Sequence, residues 1–345
     1  MTFAVGSSST LDAFITSLLA FAVANAGFTA QTTVQSSAGS GSVNVRTVSK
    51  GGVYWTMHAS TAQLGTTPGV YGLRAYMAYG NPTAAVNVAS TSVTPAQLNS
   101  TAQTRFTVMA NYGFDGAYPS HWLYTDGTCV HGILQLSTGI YGHISFGVLT
   151  KHGTWTGGEY LSANCASSAS GNWYNWDSTT NPTYDRTQTI FGGQYTGNMA
   201  YQAETYIRMA NAGTSADFWP CSKQIYGSSI TSSSLFMSVS SYMNAGDYSP
   251  SHPMGAILRY APSTSTWRTP MLPILLMCGV TSPANSVYVL GRVPRVTVLK
   301  MTDDMPNASL IHTDWRVFPL FSRETADTSL VAPGSNNWAI AYREI

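Results

Sequence analysis

Four histidines fall close together in the middle of the chain: His121, His131, His143 and His152, at spacings of ten, twelve and nine residues. Imidazole is the commonest metal ligand in proteins, and two of these rings could face each other across adjacent strands. A zinc site needs three or four ligands converging at about 2.0–2.3 Å, held by further hydrogen bonds. Only Cys129 and Glu159 lie near enough in sequence to complete the set. Hydrogen bonding on a sheet is the simpler expectation, so neither a metal nor a cofactor is expected. The four cysteines, Cys129, Cys165, Cys221 and Cys278, include no pair closer than 36 residues, which excludes a CxxC redox or metal signature. An extracellular chain could pair them in three ways; buried thiols are the default expectation in a chain this long.

Acyl transfer would need a nucleophile, a base and an orienting acid, and no GxSxG elbow occurs. A glycosidase needs two carboxylates about 5–9.5 Å apart. Asp177 with Asp185, and Asp303 with Asp304, are the nearest pairs in sequence, and the second reads better as a turn before Met305-Pro306. The best binding candidate is a polar stretch carrying Trp173, Tyr174, Trp176 and Tyr184. Exposed rings stack on sugars, and Asn175, Asp177 and Asn181 could bond their hydroxyls. The competing reading, which we favour, makes these rings hot spots between subunits. Asn99-Ser100-Thr101 and Asn307-Ala308-Ser309 match glycosylation sequons by chance in a Ser/Thr-rich chain.

The composition narrows the choice. Of 345 residues only 31 are charged, 9%, with net charge +1, against roughly 25% in an average soluble domain. That balance lacks the basic footprint of a nucleic-acid binder. It is too apolar and aromatic for a disordered chain, and too poor in Lys, Glu and Arg for a helical bundle. Interfaces deplete Lys, Glu and Asp and enrich aromatics, so scarce charge with many Tyr and Trp points to a surface covered by partners.

The elements that must position these residues are mostly strands. At the start, Leu11, Phe14, Ile15, Leu18, Leu19 and Ala22 repeat at i, i+3, i+4, i+7 and predict an amphipathic helix over 10–25. Ser9 or Thr10 can cap it, Asp12 suits its first turn, and Asn25 or Gly27 can stop it. The apolar run 18–26 ends in Ala24-Asn25-Ala26, yet the first basic residue is Arg46. The charged start of a signal peptide is missing, so a helix of the folded protein is expected. It is too short and too polar for a bilayer. A Ser/Gly/Thr linker is read at 31–41. Strands follow at 43–48, 53–57, 71–79 and 106–110, and 95–101 reads as a helical turn. The clearest pattern is a four-strand antiparallel meander: 122–125, 129–136, 140–150 and 154–161, with Asp126-Gly127 as its first turn. The segment 198–212 reads as helical or mixed, 228–241 as a Ser-rich run, and 250–273 as irregular. The segment 287–301 is β. At the end, Trp338, Ile340 and Tyr342 alternate with Ala339, Ala341 and Arg343, a strand that a turn at 334–337 folds back onto 315–321.

The expected fold is therefore mainly β: antiparallel sheets in sandwich-like domains with a four-strand meander, one N-terminal amphipathic helix and long ordered loops. The expected organisation is a helix and linker over 1–40, an antiparallel β domain over 41–161, a loop-rich aromatic region over 162–284 and a C-terminal β segment over 285–345.

Two stretches resemble virion structural proteins of tailed bacteriophages. One is Gly142-His143-Ile144-Ser145-Phe146-Gly147 with Lys151, Gly153, Trp155 and Gly157-Gly158. The other is Asp314-Trp315-Arg316-Val317-Phe318-Pro319, a Gly/Ser spacer and Trp338-Ala339-Ile340-Ala341-Tyr342-Arg343. The opening helix with Ala26-Gly27-Phe28-Thr29 fits the same picture, and the likeness covers about a quarter of the chain. The resemblance implies a tail, baseplate or neck part, repeated by ring symmetry and carrying no catalytic residues. The expectation is a non-catalytic subunit located in the virion. Its partners are copies of itself and other virion proteins, with no nucleic-acid specificity and no membrane insertion. Leu11, Phe14, Ile15, Leu18 and Leu19 are the candidate assembly helix, and Trp338, Ile340 and Tyr342 form a C-terminal strand expected to be integral to the fold or the assembly. The alternative is a secreted or virion-attached glycan-binding protein or glycan hydrolase using 173–185.

Overall fold

The computed structural model describes residues 2–38, 41–60, 72–79, 107–111, 116–163, 190–191, 205–209, 218–220, 235–239, 271–280, 286–300, 308–311, 313–319 and 338–344. Among the described residues, three antiparallel sheets and one helix, α1 (Leu11–Ala26), stack in layers. The middle layer runs β1 (Thr2–Ser8), β8 (Tyr118–Thr125), β9 (Cys129–Ser137), β10 (Ile140–Val148), β12 (Gly157–Ala163), β13 (Thr205–Met209) and β14 (Phe218–Pro220), in that spatial order.

The expected meander is β8-β9-β10-β12 at the heart of this sheet. Both faces of these strands are covered, so buried residues follow one another along them with polar ones such as His131, Ser145 and Ser162 included. Leu123, Val130, Leu134, Ile144, Phe146 and Leu161 face one core. Trp122, Tyr124, Ile133, Tyr141, Tyr160 and Ile207 face the other.

The first core is closed by α1 and an N-terminal sheet. That sheet orders β2 (Thr29–Ala30), β4 (Gly41–Lys50), β5 (Val53–Ser60), β6 (Gly72–Ala78) and β7 (Thr107–Asn111), with β3 (Val34–Ala38) also paired to β4. The 31–41 stretch is thus not a linker. Val34 to Ala38 lie opposite residues 45 to 41 of β4 in a hairpin, which satisfies their backbone groups. Residues 2–8, for which no strand was expected, pair with β8 as β1.

Thr10 caps α1, its hydroxyl accepting from the Ala13 amide at 3.1 Å, and left-handed Gly27 ends it. The helix has no basic residue in its last turn. Lys50 of β4 supplies one from outside: its ammonium donates to the Ala26 carbonyl at 2.6 Å and to the Gly127 carbonyl at 2.8 Å. A cation there suits the negative end of the helix dipole. At the other end Asp12 forms an ion pair with Arg46 of β4.

The second core is closed by a C-terminal sheet: β15 (Leu235–Val239), β16 (Leu272–Val280), β17 (Ser286–Lys300), β20 (Trp338–Arg343), β19 (Trp315–Pro319) and β18 (Ser309–Ile311). A two-residue strand, β11 (Thr150–Lys151), leaves the meander to pair with β17 before the chain returns to β12. The expected strand 140–150 therefore stops at Val148. The expected pairing of the C-terminal strand with 315–321 is present, from Trp315 opposite Arg343 to Pro319 opposite Ala339. β20 is also paired on its other side, to β17. Segment 205–209, read as helical or mixed, is a strand, since β12 offers it a ladder. Pro273 sits inside β16, next to a register shift between Pro273 and Leu275, the kind of position that tolerates a missing N–H. The helical turn expected at 95–101 lies outside the described residues. The two cores draw on several of the expected segments: one joins residues of 1–40 and 41–161 with Tyr206, and the other joins residues of 41–161 and 285–345 with Ile190, Phe191, Ile207, Ile274 and Leu276.

Candidate functional site

The chemistry-bearing side chains that the fold brings together lie on the seam between the middle and C-terminal sheets. A period of two puts Cys129 and His131 of β9 on one face, as it does Tyr141, His143 and Ser145 of β10. Register then sets Ser145 opposite His131.

A directed chain of hydrogen bonds crosses the seam. The His131 Nε2 lies 3.1 Å from the Pro294 carbonyl of β17. A carbonyl only accepts, so Nε2 carries the proton and Nδ1 must accept. Nδ1 lies 2.7 Å from Ser145 Oγ, which therefore donates to it, and Ser145 Oγ in turn accepts from the Tyr160 hydroxyl at 2.7 Å. The Cys129 thiol sits 3.3 Å from His131 Nε2 and 3.4 Å from Asp126 Oδ1.

Next to this chain, His143 Nδ1 meets the Tyr342 hydroxyl at 3.0 Å, and the two rings stack. Tyr342 also stacks on Tyr124, whose hydroxyl donates to Glu344 at 3.4 Å. Glu344 is held by Arg316, which also donates to the Ala308 carbonyl at 2.7 Å.

Burial decides the protonation of this cluster. It pushes His131 down to about 4, against the Pro294 bond and Asp126, and His143 down to about 3. Burial also pushes the Cys129 thiol and the Tyr160 and Tyr342 phenols up. Asp126 at the β8–β9 turn goes the other way. Its burial raises it, but bonds from the Thr128 side chain and from the Thr128 and Cys129 amides outweigh that and hold the carboxyl below its usual value.

Ser145 and His131 thus have the connectivity of a nucleophile and its base, but the pair is sealed: Ser145 is 0% exposed and His131 1%. A base held near 4 and a thiol held neutral are poorly suited to attack at neutral pH. What the arrangement does is lock one sheet to another through fully directed bonds. Ser145→Ala leaves the Tyr160 hydroxyl and His131 Nδ1 without their partner, and is expected to cost about 1–3 kcal/mol in urea unfolding.

The other sequence candidates are scattered. His121 lies on the opposite face, bonded to Ser8 at 3.0 Å and tilted against Phe14. His152 is exposed in the turn after β11. Glu159 pairs with Arg208 of β13 at 2.7 Å rather than with a histidine. Among the described residues, no three His, Cys, Asp or Glu side chains converge, and no helix is long and apolar enough to cross a membrane.

Leu11, Phe14, Ile15, Leu18 and Leu19 are all 5% exposed or less, packed in the chain's own first core. That stripe is therefore not open to a partner. Ile340 and Tyr342 line the seam, and Trp338 lies opposite Lys300 in the β17–β20 ladder. Trp173, Tyr174, Trp176 and Tyr184, with both carboxylate pairs, lie outside the described residues.

Sequence reasoning missed Ser145, Tyr160, Tyr124, Arg316 and Glu344. The same-face spacing of Tyr141, His143 and Ser145 was the available signal. No protein-family model matches this chain, and no curated protein matches it.

Proposed function

We propose that the protein is a structural subunit of a tailed-bacteriophage virion, in the tail, baseplate or neck, acting by protein–protein assembly without turnover. The observation that carries the assembly reading is β1. It is the edge strand of the middle sheet, and no strand pairs with its outer side among the described residues. Its sequence, TFAVGSS, has no charge and no proline. Phe3 and Val5 are 42% and 56% exposed.

Proteins normally block such an edge with lysine, proline or a covering loop, because its free N–H and C=O groups recruit other strands. An unblocked, apolar edge suits a chain whose neighbours are meant to bind there. Scarce charge and abundant Tyr and Trp support the same reading. The virion assignment itself rests on the two resembling stretches.

Size-exclusion chromatography with light scattering tests it. The wild-type chain is expected as a ring-sized oligomer, and Val5→Lys, which places a charge on the edge, is expected to weaken assembly about tenfold or more. A wild-type chain that stays monomeric at high concentration and binds glycans would replace this reading with the carbohydrate-binding one.

A further inference from the structure

We propose that the seam is an acid-operated joint: protonating His131 and His143 parts the C-terminal sheet from the middle sheet while the core beneath α1 stays closed. The geometry of the bonds carries this. In the neutral seam each donor has one direction, Tyr160 to Ser145 to His131 to the Pro294 carbonyl. A proton added at His131 Nδ1 turns an acceptor into a donor. Ser145 Oγ can accept that proton beside the one from Tyr160, but its own O–H then loses the acceptor it had in Nδ1. A donor is left over at a place sealed from bulk solvent, where an unmade bond is costly.

His143 stands in the same layer, stacked on Tyr342 and edge-on to Phe318, both from the C-terminal sheet. Charging both rings puts two cations in one dry interface. Facing His131 are Cys129, Ser145, Tyr160 and the ring of Tyr342. The carboxylate that acts on it is Asp126, already engaged by the Thr128 and Cys129 amides. Tyr342 and Phe318 are among the groups that face His143. Tyr124, Arg316 and Glu344 lie beyond Tyr342 and are bonded to each other.

The sign follows from burial. Both histidines titrate lower in the closed seam, about 4 and about 3, than the 6.5 expected once open. The closed form is favoured fully above that value and loses ground as pH falls from about 6.5 towards 4. With two histidines charging only on opening, the opening equilibrium should rise roughly fifty-fold between pH 6 and pH 5. On the opposite face His121 is also pushed down by burial, so the α1 core must be followed in the same experiment.

Cys129 is a built-in reporter, being 0% exposed and in contact with His131. Its reaction with 4,4′-dithiodipyridine, which attacks thiols at acid pH, is read peptide by peptide and normalised to the unfolded chain at each pH. Hydrogen exchange of the α1 amides is measured alongside. A roughly fifty-fold rise from pH 6 to pH 5, with α1 still protected, is the expected result. In His143→Phe, which keeps a ring in the stack, the rise should fall to roughly eightfold. A flat wild-type profile overturns the joint, as does an unchanged slope in His143→Phe. So does α1 exchange that rises in step with Cys129, because that is global unfolding.

Discussion

A chain truncated after Asn337 is expected to be insoluble. The missing strand, β20, is not a trailing end but an interior strand of the C-terminal sheet, paired to β17 from Val296 to Lys300 and to β19 from Trp315 to Pro319. Without it those two strands face each other across an empty ladder position, each with a row of unpaired backbone groups. Ile340 and Tyr342 leave the seam, and Ala339 and Ala341 leave the smaller cluster on the opposite face of the sheet. The two large side chains alone contribute about 1.5–3 kcal/mol each. Glu344, the partner of Arg316, goes as well. Soluble yield and thermal melting of the truncated and parent chains check this. A soluble, truncated chain with the parent's melting temperature would contradict the placement of β20.

Gly157→Ala is expected to destabilise by about 3 kcal/mol or more, lowering Tm by about 5 °C or more in thermal unfolding. Gly157 is where the chain, having left the meander as β11, re-enters the middle sheet. Its φ is +124°, and a Cβ there would stand 2.3 Å from the Arg208 carbonyl oxygen and 3.0 Å from the Met209 Cα. Backbone cannot yield as a side-chain tip does, so β13 would have to shift. That strand holds Tyr206 in one core, Ile207 in the other and Arg208 in its ion pair with Glu159. Gly153→Ala is the control. Its φ is also positive, +81°, but nothing lies within 4 Å of an added Cβ. It should cost only the local strain, about 1–2 kcal/mol. Equal losses for both variants would show that the close approach of β12 and β13 is not what matters.

The excursion that Gly157 closes gives the residues around it a common role. After Val148 the chain crosses from the middle sheet to the C-terminal sheet, where Thr150 pairs with Arg292 and Lys151 with Gly291. The Trp155 indole and the His152 amide both donate to the Leu290 carbonyl, at 3.0 and 2.8 Å. Lys151 donates to the Trp155 carbonyl and lies over its ring. Lys151, Trp155 and Gly157 are thus residues that fasten two layers together.

Much was legible in the sequence wherever the information is local. The stripe of α1, its Thr10 cap and Gly27 stop, the neighbouring strands at 43–48 and 53–57, the meander and the pairing of the last strand all follow from periods and turn chemistry within a few tens of residues. Strands 2–8, 34–38 and 205–209 were not legible, because their sequences mix polar with apolar residues and a partner strand decides their state. Nor was the layering. Alternation says that His131, His143 and Ser145 share faces with their neighbours two residues away, but not what covers those faces. That was decided by contacts 163 residues apart for His131 with Pro294 and 199 apart for His143 with Tyr342. Spacing in sequence carries no record of such pairs. Only the stacking of a third sheet turned four histidines with the look of a metal site into one under the helix, one in the open, and two locked in a dry seam whose burial sets their charge.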